Sequence, residues 1–387
     1  MSTFKVAQRM ERIVPFYVMD LLARAKKLEA AGRSIIHMEV GEPDFTAPRA
    51  VIDAAQAALA EGKTGYTPAT GIPELRQAIA GHYRDRFGLP LEPRRIVVTP
   101  GSSGALQLLM GVLINPGQQV LMTDPGYPCN KNFVEFVSGE PVSLPVGPDT
   151  DYQLTAEMVA KAWTERTRAV LVASPANPTG TLLSRQELEQ IYRAVRSRGG
   201  VLIVDEIYQG LIYDQEPFSA LEVADDIFVI NSFSKYFGMT GWRLGWLVAP
   251  ADCIDSIDCL AQNIFLSCSA PAQYAALQAF SPECLAIFEQ RRQIFRQRRD
   301  FLLPALQQIG FSVAVAPQGA FYLYADCSAL TDDSFRLAYD LLDTQGVAVT
   351  PGKDFGCNRS AHHIRFAYTT DVDRMSEGVE RIRRYFS

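Results

Sequence analysis

Positive charge is in short supply: 37 Lys and Arg stand against 43 Asp and Glu, a formal net charge of −6. A nucleic-acid-binding face needs the opposite balance. The basic residues that do cluster, Arg291, Arg292, Arg296, Arg298 and Arg299, are expected on the solvated side of a long amphipathic helix. Cysteine is sparse and scattered: seven residues with no Cys-x-x-Cys pair, so neither a disulfide framework nor a zinc site follows. Histidine is rarer still, with four residues. His362 and His363 are adjacent, and neighbours on a strand point to opposite faces, which excludes a shared metal. No apolar run is long enough to span a membrane, and Met1 to Arg12 has no signal-peptide core. A reducing, cytoplasmic setting is the expectation. Neither the G-x-G-x-x-G nor the G-x-x-x-x-G-K-[ST] phosphate-binding pattern occurs.

What is present is an ordinary globular balance, 48% hydrophobic and 21% charged over 387 residues. That length predicts two domains. Helical spacing is expected over 18–31, from 48, over 73–87 with Pro73 in its first turn, and over 104–114 and 184–198. A strand is expected over 35–40. From residue 95 strand and helix patterns alternate, with candidate strands at 96–99, 119–124, 141–146, 169–173, 201–205, 227–232 and 244–249. This predicts an α/β domain over 46–282, a mostly parallel seven-stranded sheet between helices. The last strand follows its predecessor too closely for a helical crossover and is expected to be antiparallel. After a long helix from about residue 282, strand patterns at 312–315, 321–324, 347–350 and 363–367 predict a smaller α+β domain. It is built from 283–387 and the N-terminal 1–45.

Ligands of open α/β sheets gather beyond the carboxyl ends of the strands, and the chemically suggestive residues fall there. Gly101, Ser102 and Ser103 lie between a strand and a helix, where backbone amides and hydroxyls hold a phosphate or simply make a βα turn. Tyr127 follows a strand end and either stacks on a flat heterocycle or belongs to the core. Asn177 sits between Pro175 and Pro178, as a donor to a ligand or a brace for its own turn. Asp205 ends an all-apolar strand, where a carboxylate needs a partner or a helix to cap; Tyr208 follows it. Lys235 leaves the next strand flanked by Ser232 and Ser234, with Arg243 eight residues on. An amine among apolar neighbours loses its proton readily and can form a Schiff base with an aldehyde. Arg365 interrupts a strand pattern, and an inward arginine grips a carboxylate with two prongs.

These residues, with Gly41-Glu42-Pro43-Asp44-Phe45, Asn177-Pro178-Thr179-Gly180 and Gly241-Trp242-Arg243-Leu244-Gly245 in that order, resemble the class I/II pyridoxal-phosphate aminotransferases of fold type I. The resemblance covers nearly the whole chain. It implies pyridoxal 5′-phosphate as cofactor, with Lys235 as its Schiff-base partner and proton shuttle. Asp205 would face the ring nitrogen, Tyr208 and Asn177 the ring oxygen, and Tyr127 the ring plane. Gly101, Ser102, Ser103, Ser232, Ser234 and Arg243 would hold the phosphate. Arg365, Asn177 and the Gly41 backbone would bind the substrate carboxylate. Tyr66 would reach the neighbouring active site of a homodimer. The implied reaction moves an amino group from an L-amino acid to a 2-oxo acid by ping-pong chemistry. No second cation for a dicarboxylate is assignable; Val14, Phe16, Tyr17 and Tyr322 are candidates for a neutral or aromatic side-chain pocket, or for core. The motifs alone do not separate a transaminase from a β-lyase of the same fold. A DNA-binding regulator would need an added segment, for which no room is expected before Val18.

Overall fold

The computed structural model describes residues 4–387; residues 1–3, at the start of the expected small-domain segment, lie outside it. Its centre is a seven-stranded sheet ordered Ile96–Thr99, Gly245–Val248, Phe228–Ser232, Val201–Asp205, Thr167–Ala173, Gln119–Asp124 and Glu140–Pro145. Gly245–Val248 alone is antiparallel to its neighbours, the departure that its short connection requires. Alternate residues of one strand enter separate cores. Leu202 and Val204 pack with Leu188 and Ile191 on one face; Val201 and Ile203 pack with Leu108 and Leu109 on the other. Burial on both faces is why these strands read as continuous apolar runs.

Register decides what stands side by side. Ala173 pairs with Asp205 and Asp205 with Ile230, so the segments that follow these strands open at one edge of the sheet. The helix Gly101–Leu113 starts three residues earlier than its spacing indicates, which makes Gly101, Ser102 and Ser103 its first turn.

The 26-residue helix Pro282–Gln307 leads to a three-stranded antiparallel sheet of Thr350–Pro351, His363–Ala367 and Tyr322–Asp326. The expected 35–40 strand is only Ile36–His37, paired in parallel with Val347–Ala348. The expected 312–315 strand is a single bridge, Ser312 to Asp326. Past His37 the chain leaves the ladder for another partner: Thr350 Oγ1 donates to the Glu39 carbonyl at 2.9 Å, beyond the paired residues.

The basic cluster on the long helix is only partly a solvated face: Arg296 is exposed, but Arg298 and Arg299 are buried. Arg298 is 4% exposed and Arg299 8%. Arg298 donates twice to Asp44, at 2.8 and 2.7 Å, and lies 5.1 Å over the Phe45 ring. Arg299 donates to the Pro317 carbonyl and to Asp214. Phe288, Phe295 and Leu302 form the buried stripe at a seven-residue repeat, and positions 298 and 299 flank it, so their guanidinium groups are carried inward. Arg298 thereby fixes the turn that ends at Phe45. Among the described residues no helix is long and apolar enough to cross a membrane, and no group of His, Cys, Asp and Glu has the arrangement of a metal site.

Candidate active site

Beyond the strand ends lies a cavity of about 240 Å³. Its lining includes Ser102, Ser103, Ser234 and Arg243, the hydrogen-bonded pair Asn177 and Arg365, and Tyr127, Asp205, Tyr208, Lys235 and Gly41. Ser232 and Gly101 are buried and are not part of its lining. Tyr66 does not join it: the side chain is 86% exposed on the 62–71 loop.

The turn after Phe228–Ser232 is built by its own polar groups. Ser232 Oγ donates to the Leu244 carbonyl at 3.2 Å and accepts from the Ser234 amide at 3.0 Å. Arg243 adopts a left-handed φ of 51° and donates to the Thr240 carbonyl at 2.8 Å. A Cβ on Gly101 would sit 2.5 Å from Arg243 Nη2, so glycine is what lets the guanidinium close over the start of the helix. That helix has no side-chain cap, and its first amides are free donors. Uncapped amides, two serines and an arginine make an anion cradle.

Lys235 Nζ donates to the Gly41 carbonyl at 2.6 Å. Burial pulls its ammonium down to about 8, with Arg365 and Arg243 adding to the effect and Glu42 and Asp205 opposing it. Asp205 shows the converse. Burial raises its carboxyl to about 6, against the Ile207 amide at 3.0 Å and the Lys235 charge. A cationic ring nitrogen beside it would restore the ionised form.

Arg365 is 2% exposed. Its Nη1 donates to Asn177 Oδ1 at 2.9 Å; Nη2 donates to the Glu39 carbonyl and, at 3.4 Å, to Thr350 Oγ1. Arginine only donates, so its partner atom on Asn177 must be the oxygen, which leaves Nδ2 to donate elsewhere. Arg365 Nε is buried without a hydrogen-bond partner. An interior guanidinium facing a cavity, with no carboxylate paired to it, has the chemistry to receive one.

The remaining wall is apolar: Phe16, Val18, Met19, Val40 and Ile207. Phe16 meets Tyr127 edge to face at 6.4 Å. Of the other residues considered for a neutral pocket, Tyr322 lines the cavity, Val14 is exposed, and Tyr17 turns away onto Phe335 at 5.2 Å. The helix Tyr17–Ala30 has no cap of its own. Asp354 supplies one from far along the chain, accepting from the Tyr17 and Val18 amides at 2.9 and 3.0 Å. No signal in the sequence marks this clasp, because the acceptor lies 337 residues from its donor. Asp354→Ala is expected to loosen the helix by about 1 kcal/mol and to raise KM for amino donors with kcat nearly kept. A melting curve and steady-state kinetics check this; unchanged KM would show that the clasp does not position the wall.

A phosphate-bearing pyridine aldehyde fits these groups: an anion cradle, an amine, a carboxylate, two neutral donors and an aromatic face converge on one cavity. The sequence profile of the class I and II aminotransferases matches residues 33–382. The chain belongs to this family. It is 39% identical to the valine–pyruvate aminotransferase of Mycobacterium tuberculosis over 96% of both chains. It is 36% identical to the aspartate/prephenate aminotransferase of Thermus thermophilus over 98% of both. A crystal structure of an aminotransferase from Mycobacterium tuberculosis superposes with a TM-score of 0.96, at 39% identity and 99% coverage of each chain. The fold is that of the fold type I aminotransferases, and the protein is a transaminase of a pyridoxal-phosphate-dependent family.

Proposed function

We propose that this aminotransferase binds pyridoxal 5′-phosphate through Lys235 and prefers amino donors with neutral side chains. The observation that carries the preference is the cation inventory of the cavity. It has three cations, Lys235, Arg243 and Arg365, and each is taken by the amine, the phosphate cradle or the α-carboxylate. None is left for a second carboxylate, and the free wall is apolar, so a charged side chain would be desolvated without a partner. The names of the relatives span both kinds of donor, valine and aspartate.

When bound, the cofactor supplies the aldehyde that the amine joins and a ring that accepts the electron pair left at Cα. The residues do the rest. Arg243, Ser102, Ser103, Ser234 and the helix amides hold the phosphate, with Gly101 and Ser232 shaping the cradle. Asp205 keeps the ring nitrogen protonated. Tyr208 and Asn177 Nδ2 donate to the ring oxygen, and Tyr127 packs on the ring. Arg365 holds the substrate carboxylate beside Gly41. Lys235 would take and return the proton at the substrate Cα; an amine near pKa 8 exchanges protons readily near neutral pH. A cytoplasmic homodimer is part of the reading, with the exposed Tyr66 extended toward the partner.

The test is a visible spectrum of the purified protein with pyridoxal phosphate, before and after single amino acids. Bleaching by alanine, valine and aromatic donors and recovery on adding a 2-oxo acid is the expected result. A kcat/KM for aspartate far above those of alanine and the aromatics would overturn the donor preference.

A further inference from the structure

Tyr322 begins the strand Tyr322–Asp326 of the small sheet, opposite Ala367, and is 1% exposed. It touches several parts of the site at once. Its hydroxyl lies 2.7 Å from that of Tyr208. Its ring lies 4.3 Å from the centre of the Arg365 guanidinium. A Cβ on residue 41 would be 1.8 Å from its hydroxyl oxygen, so Gly41, whose carbonyl holds Lys235, is also the slot into which the phenol fits. The Gly-Glu-Pro motif therefore needs its glycine to admit a side chain that arrives 281 residues later.

The protons of the pair can be followed. Burial holds both phenols in the neutral O–H form. One proton lies between the two oxygens. Arg365 faces the Tyr322 ring and has no lone pair to accept its proton. The 2.7 Å contact permits either hydroxyl to donate; in the arrangement with Tyr322 as donor to the Tyr208 oxygen, the Tyr208 proton is directed into the cavity. A hydroxyl that accepts while it donates is the stronger donor. On the other side, the ring gives Arg365 a flat seat that cannot compete for its hydrogen bonds.

We propose that Tyr322 is a positioning residue for both halves of the active site: its hydroxyl aims the Tyr208 proton, and its ring seats the Arg365 clamp. The inference rests on the reading that the cavity takes pyridoxal phosphate, with Tyr208 donating to the ring oxygen. Such a donor would draw charge from the ring oxygen of bound pyridoxal phosphate, and so would lower the pH at which its visible band titrates.

Tyr322→Phe and Tyr322→Leu separate the two roles. The probe is the pH titration of the visible band of each protein loaded with pyridoxal phosphate, beside KM for one neutral donor. Tyr322→Phe keeps the ring and is expected to move the titration midpoint upward by some tenths of a unit, with KM within twofold of wild type. Tyr322→Leu is expected to raise KM several-fold as well. A Tyr322→Phe midpoint equal to that of wild type overturns the hydroxyl role. A Tyr322→Leu KM equal to that of wild type overturns the ring role, and a leucine variant that fails to fold leaves the phenylalanine titration to decide. The wild-type control separates this from the larger reading: if wild type shows no visible band with the cofactor, the cofactor assignment itself fails and Tyr322 falls with it.

Discussion

Lys235→Ala is expected to abolish transamination, with a loss of about 10⁴-fold or more, while the protein still folds and still takes up pyridoxal phosphate. Nothing else in the cavity replaces the lysine. Arg243 and Arg365 are guanidinium groups that do not give up a proton at neutral pH, and both are turned to other partners. The phosphate cradle is made of the Ser232 turn, Arg243 and the helix start, none of which touches Nζ. Stability should not fall much. Burial holds the lysine at about 8 instead of the ordinary 10.5, so the folded state disfavours the charged form. That disfavour is complete below about pH 8 and absent above 10.5. The alanine variant lacks it and loses one hydrogen bond to Gly41. Its apo form is therefore expected to melt at or above the wild-type temperature at neutral pH, with that advantage fading as pH approaches 10.5. Turnover near the wild-type rate in this variant would refute the assignment of Lys235.

Arg365→Ala is expected to lower kcat/KM by about 10²- to 10³-fold, the loss of two charge-assisted hydrogen bonds to a carboxylate, chiefly through KM. The proposed clamp would grip the carboxylate in ground and transition states alike, and an interaction uniform between the two appears in KM. Arg365→Lys should recover little of it. A lysine cannot present the two-pronged fork, nor lie flat between Tyr322 and Phe355, which sit 4.3 and 4.8 Å from the guanidinium. Alanine would also leave Asn177 Oδ1 and the Glu39 carbonyl without their donor, so a modest drop in melting temperature is expected. A fall in kcat at unchanged KM would contradict the carboxylate role and point to Arg365 acting on the chemical step instead.

Much of this site is legible from the residues themselves. Asp205 ends one apolar strand and Lys235 follows another, and in a parallel sheet such ends open on one side, which brings them to one rim. Gly101, Ser102 and Ser103 announce a βα turn by being small and polar after a strand, though not that they form the first turn of the helix itself. Arg365 is conspicuous as a cation within an apolar run.

Other features depend on partners that no local pattern names. The stripe of Arg298 and Arg299 has the spacing of a solvated helix face, and only the arrival of Asp44, Phe45, Asp214 and the Pro317 carbonyl makes it an interior one. The 312–315 and 35–40 segments carry strand patterns, yet a ladder forms only where a neighbouring strand runs alongside for its whole length. Phe16 and Tyr17 are adjacent aromatics of equal promise; the helix that begins at Tyr17, clasped by Asp354, sends one to the cavity and the other to Phe335.

By itself the sequence determined the strands of the sheet, their order along the chain and the candidate reactive groups, because hydrophobic period and strand-end chemistry are local properties. The tertiary structure alone decided which face of the long helix is buried, why residue 41 must be glycine, and how Tyr322 joins Tyr208 to Arg365. Those facts are contacts between residues far apart in the chain, and burial of a polar group is set by what packs against it rather than by its neighbours in sequence.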